Sequence, residues 1–176
     1  AAADVLASGG EAYYAAKIRQ YTTLDVSADE VHAIGKREVR RIRGEMETVM
    51  STVGFEGDLQ SFIDTLRADP RFTPSSPEAL LKEAAWIAKQ MDGKLPSLFG
   101  TLPRQPYTVV PVPDELAPTY TVGRYIPAPA GGTRAGEYWV NTHDLERRTL
   151  YSLEALTLHE AVPGHHLQVA LAREMD

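Results

Sequence analysis

Eight of the twelve prolines lie between Pro96 and Pro129, and that clustering divides the chain into a part that can be helical and a part that cannot. Proline inside a helix removes a backbone donor and collides with the carbonyl four residues earlier. From Lys94 onward the expectation is therefore short strands and loops. Residues 107–112 form a β-branched run, 119–125 offer a second strand, and a Gly/Pro loop (127–132) leads to Glu137-Tyr138-Trp139-Val140-Asn141, which has strand composition. Asn141-Thr142-His143-Asp144 reads as a polar turn, and a last helix is expected from about Tyr151 to the C-terminus.

Before Lys94 the pattern is helical. Residues 11–21 form a short Ala- and Tyr-rich segment. Ser27-Ala28-Asp29-Glu30 is a capping box, followed by Val31, Ile34, Val39, Ile42, Met46, Val49 and Val53, one apolar stripe ending at Gly54. The opposite face carries Lys36, Arg37, Arg40, Arg41 and Arg43 among Glu38, Glu45 and Glu47, a solvated, salt-bridged surface. A second amphipathic segment, 58–68, stops before Pro70. A third starts with Ser76 as N-cap and Pro77 in the first turn; it runs toward Gly93, with Trp86 and Met91 read as core. The fold class is α+β and mostly helical: a helical lobe over 1–93, then a small sheet with proline-rich loops and a motif helix over 94–176, or one continuous domain.

Composition narrows the function. The chain carries 18 basic against 24 acidic side chains, a net charge of −6, so it lacks the positive field of a nucleic-acid binder. No apolar run approaches the ~20 residues of a spanning helix. With no cysteine, disulfides, Cys-ligated zinc and a thiol nucleophile are excluded. The opening Ala1-Ala2-Ala3-Asp4 has no initiator Met, which suggests a processed or excised chain.

The chemistry concentrates in Leu158-His159-Glu160-Ala161-Val162-Pro163-Gly164-His165-His166-Leu167-Gln168, which holds three of the five histidines. Neutral imidazoles bind Zn²⁺ without cancelling its charge, and an adjacent carboxylate can take a proton from water. In a His-Glu-x-x-His helix the two histidines are ~6 Å apart along the axis and ~40° around it. On a straight helix His159 and His165 would be ~9 Å and ~120° apart, and His159 and His166 ~10.5 Å and ~20°. A deformation is needed, and Pro163 with Gly164 supplies the cause. The expectation is a kink or bulge that turns His165 toward His159, leaving His166 to support the site or contact substrate; the reverse assignment stays open.

This motif, with Tyr125-x-Pro127 and Arg134-x-Gly136-x-Tyr138-x-Val140-Asn141-Thr142 before it, resembles a bacterial family catalogued as domain of unknown function 885. Its members are often described as lipoproteins and grouped with zinc-dependent peptidases of the zincin type. The resemblance implies a largely helical fold around a small sheet and a zinc site, with His159 and one or both of His165 and His166 as ligands and Glu160 as general base. It also implies a cell-envelope or secreted location. Family members continue to a Glu-Gly-Trp segment whose acidic residue resembles a third ligand. No such segment occurs here, so the expectation is a partial site that binds metal weakly or not at all, and Glu174 is poorly placed to substitute.

Zincin-type peptidases often hold an extended substrate along an edge strand. Residues 137–141 are the expected strand, with Asn141, Tyr138 and Tyr125 as candidate substrate contacts, Tyr125 as an oxyanion donor. The alternative is a core strand with Tyr138 packed inward and Asn141 closing a turn. Arg134, His143, Asp144 and His32 read as surface residues. The leading function is a portion of a zinc-dependent hydrolase of peptides or small amides. The alternatives are a metal hydrolase with another substrate, or a non-catalytic binding or scaffold module of the cell envelope that keeps the motif helix.

Overall fold

The structure, a computed structural model, describes residues 9–129 and 131–175; the Ala1 to Asp4 opening and Ala130 of the Gly/Pro loop lie outside them. The chain divides into two compact units, 1–64 and 65–176.

In the first unit, α1 (Gly10–Thr22) precedes α2 (Ala28–Thr52). Ser27 caps α2 as the sequence requires: its Oγ accepts from the Glu30 amide, and the Glu30 carboxylate accepts from the Ser27 amide at 2.8 Å. Arg41 pairs with Glu38 and Glu45 on the polar face. Gly54, at φ 70°, lies just past the helix end.

The division between the units falls within α3 (Leu59–Ala68). In the second unit, Ser76 caps α4 (Pro77–Leu98) through the Ala79 amide. The helix runs past Gly93 and takes Pro96 into its last turn, five residues beyond where the proline pattern ends it. A proline there forfeits one late hydrogen bond instead of interrupting a continuing ladder. Leu80, Ala84, Ala88 and Leu95 form the buried stripe of α4, with Ile87 and Met91 partly buried beside it. Trp86, expected in the core, is 61% exposed, because it sits two residues from Ala84, about 200° around the helix.

A three-stranded mixed sheet follows: β1 (Tyr107–Pro111), β2 (Gly123–Ile126) and β3 (Gly136–Val140). Their spatial order is β1-β3-β2, with β1 parallel and β2 antiparallel to β3. The strand expected at the edge, β3, is thus the central one, and its hydrogen-bonding sides are taken by its neighbours. Its alternation puts Gly136, Tyr138 and Val140 inward. Tyr138 and Val140 pack with Leu80, Ala84, Leu153 and Ala161 in the principal core. A smaller cluster joins Leu95, Val162 and Leu167.

The C-terminal helix is two helices, α5 (Leu150–Glu160) and α6 (His165–Glu174). The Ala161 amide closes α5 on the Thr157 carbonyl, and the His166 amide reaches back to the Ala161 carbonyl at 3.0 Å. The chain therefore breaks fully between 161 and 164, where the Val162–Pro163 peptide is cis. A Cβ on Gly164 would run into the backbone carbonyl of His159, so the two helix ends meet this closely only with glycine there. No helix among the described residues is long and apolar enough to cross a membrane.

Candidate metal centre

The break joins the end of α5 to the start of α6, which places His159 and Glu160 opposite His165. One ligand atom from each of the three lies within 4.8 Å of the others. The His159 and His165 rings meet edge to face, with centroids 4.7 Å apart. Glu160 is 8% exposed, and its Oε2 accepts a hydrogen bond from the Tyr125 amide at 2.8 Å. A buried carboxylate must be satisfied, and a backbone donor on β2 does so while fixing the side chain's direction.

The donor set suits a divalent ion of the zinc type. Two bonds of ~2.0–2.2 Å can bridge donors up to ~4.4 Å apart, so small rotations would let His159 and His165 share one ion with the Glu160 carboxylate beside it. Imidazole and carboxylate are the ligand types zinc takes when cysteine is absent.

His166 points the other way. It is 2% exposed, its Nδ1 hydrogen-bonds with the Tyr125 hydroxyl at 3.0 Å, and its ring lies 4.5 Å from that of Tyr107. Burial holds this imidazole below its ordinary pKa, while the Asp92 charge and a backbone hydrogen bond of Gln105 pull upward. His166 thus ties α6 to β1 and β2, and the cluster that could hold a metal contains His165.

Tyr125 spans both roles, its amide on Glu160 and its hydroxyl on His166. Tyr138 is fully buried, with its hydroxyl 3.3 Å from Thr157 Oγ1. Asn141 is also fully buried; its Nδ2 donates to the carbonyls of Ala117, Tyr120 and Thr121, and its Oδ1 accepts from the His143 amide. It closes the loop between β1 and β2. Glu174 is engaged by the Arg104 amide and side chain, away from the cluster. Arg134, His143, Asp144 and His32 are exposed.

A cleft of about 550 Å³ opens over the cluster, lined by Gly123, Arg124, Tyr125 and Ile126 of β2 together with Glu160 and His165. The exposed edge of the sheet here is β2. A second cleft, of about 370 Å³, includes His159 in its wall.

The model of the family described as "Bacterial protein of unknown function (DUF885)" matches residues 1–176. The chain belongs to this family. A solved structure similar to this DUF885 chain is that of "the putative lipoprotein from Colwellia psychrerythraea", with a TM-score of 0.86 and 30% identity. The similarity covers 94% of this chain and 29% of that one, so the DUF885 chain described here spans less than a third of that protein's length. No curated protein matches it.

Two features of this candidate site escaped the sequence. The Tyr125 amide carries no residue-type signal, since any residue but proline offers one. Arg148, a half-buried side chain lining the second cleft, lies in the turn 141–149, where a charged residue reads as surface.

Proposed function

We propose that this chain carries the metal-binding and proton-transfer part of a zinc-dependent amide hydrolase, most simply a peptidase. The observation that carries the reading is the convergence of His159, Glu160 and His165 across the helix break. His159 and His165 hold the ion; Glu160 serves as general base. An acidic residue of the kind the family resemblance implies would be a third ligand. Zinc, when bound, supplies Lewis-acid polarisation and lowers the pKa of water to near 7.

Glu160 takes the proton of the attacking water on the oxygen not held by Tyr125. Water's oxygen adds to the amide carbonyl carbon, the C–N bond breaks, and the same carboxyl returns the proton to the departing nitrogen. The β2 edge suits an extended substrate: the Tyr125 amide, turned away from β3, is used by Glu160, and the backbone of Gly123, two residues earlier, faces that same open side by the strand's period of two. A peptide laid along β2 would pass its scissile bond over Glu160 and His165.

Metal content of the purified full-length protein tests this. About one equivalent of zinc is expected, lost in His159→Ala and His165→Ala and kept in His166→Phe. Absence of bound metal, or retention in both alanine variants, overturns the reading in favour of a non-catalytic module.

A further inference from the structure

Resting on the hydrolase reading, we infer that the second cleft is a subsite for the carboxylate of an apolar residue on the C-terminal side of the cleaved amide, recognised by Arg148. The cleft of about 370 Å³ has walls from Leu80, Val140, Leu153 and Leu156, with His159, Arg147 and Arg148 also lining it. An apolar side chain fits such walls, and a metal-binding histidine shares them.

Arg148 is the group that sets the chemistry. It is half-buried, and its Nε donates to the Asn141 carbonyl at 2.9 Å. Among the described residues no carboxylate forms an ion pair with it: the Asp144 charge reaches Arg148, but its carboxylate pairs with Arg147 at 2.9 Å. Arg147 itself is 80% exposed at its side chain. A half-buried guanidinium with no ion pair of its own gains from an added anion, and its fork geometry suits a carboxylate. Burial lowers the pKa of Arg148 from its ordinary value, and the Arg147 charge adds to this while the Asp144 charge opposes it; guanidinium groups stay protonated in proteins.

The fully buried Asn141 is the positioning residue. Its side chain is fastened to the 117–121 loop, so its carbonyl offers Arg148 a fixed anchor. Arg148 is thereby held beside the cleft while its terminal nitrogens make no hydrogen bond with any described residue. A small peptide with a free C-terminal carboxylate and an apolar last residue meets both features of the cleft, so the substrate class is one from which a single C-terminal residue is released.

The test compares blocked dipeptides ending in leucine with their leucinamide counterparts, on the full-length zinc-loaded protein. The acid is expected to be cleaved with kcat/KM about 10- to 100-fold above the amide. Arg148→Met should remove that preference by raising KM for the acid, bringing its kcat/KM down to that of the amide. N-acetyl-leucine binding, followed by calorimetry, gives a readout that needs no turnover: it should weaken by a similar factor in Arg148→Met and persist in Arg148→Lys to a lesser degree. Equal handling of acid and amide by the unaltered protein overturns the inference, as does loss of the preference in Arg147→Met instead. Cleavage without acid preference would leave the hydrolase reading standing and remove this one. Arg148-dependent binding of N-acetyl-leucine without cleavage of any peptide would do the reverse.

Discussion

The amide of Tyr125 on β2 donates to Glu160 Oε2 at the end of α5, at 2.8 Å across 35 residues of sequence. The bond joins the edge strand of the sheet to the carboxylate proposed as general base. With one carboxylate oxygen held by this amide, Glu160 would need little reorganisation in the proposed role.

Replacing Glu160 with Gln keeps size and a hydrogen-bond acceptor for the Tyr125 amide while removing the base. Zinc should stay bound through the histidines, and turnover should fall by about 10²–10⁴-fold. Parallel metal analysis and peptide-hydrolysis assays check this. Undiminished turnover would take the base role away from Glu160.

Gly164→Ala should damage both fold and site. The added Cβ meets the backbone carbonyl of His159, which cannot swing aside as a side-chain tip can, so the ends of α5 and α6 must separate. A cost of about 1–3 kcal/mol is expected for such overpacking, read as a lower melting temperature, and zinc affinity should fall with it.

Asn141 distinguishes a loop clamp from a surface residue. Asn141→Ala strands three carbonyls now served by one side-chain nitrogen, at about 1–3 kcal/mol. Asn141→Asp should be worse than alanine, because it sets a negative charge against those same oxygens. Urea unfolding of the two variants settles the order.

The phenol of Tyr138 predicts an alkaline limit to stability. Burial first, and the Glu160 charge in addition, push its pKa up to about 12, against a lowering hydrogen bond with Thr157. The folded protein keeps this proton above pH 10, where the unfolded chain gives it up. Stability from this group is therefore complete below pH 10 and declines as pH rises toward 12, by about 2–3 kcal/mol in all. Tyr138→Phe should lessen that decline in denaturation curves taken at pH 9, 10 and 11.

Much of the local structure was legible in the residues. Ser27 with Glu30, and Ser76 with Pro77, mark helix starts because capping is satisfied within one turn. The α4 stripe follows the helical period, and Trp86 lies outside it because its phase on the helix, not its apolar size, decides which way it faces. The extension of α4 through Pro96 escaped because a proline's effect depends on how much helix lies beyond it.

The sequence by itself determined which residue types gather around Pro163 and Gly164, and that an unbroken helix cannot run through them. Only the tertiary structure decided that His165 joins His159 and Glu160 while His166 turns inward to Tyr125 and Tyr107. It also put β3 in the middle of the sheet and β2 at the edge. The reason is physical: capping and periodicity act between residues a few positions apart, whereas the path of a chain after a helix break, and the order of strands, are set by packing between segments distant in sequence. Glu160 finds its amide partner on β2 because the sheet lies beside α5, a relation no local pattern encodes.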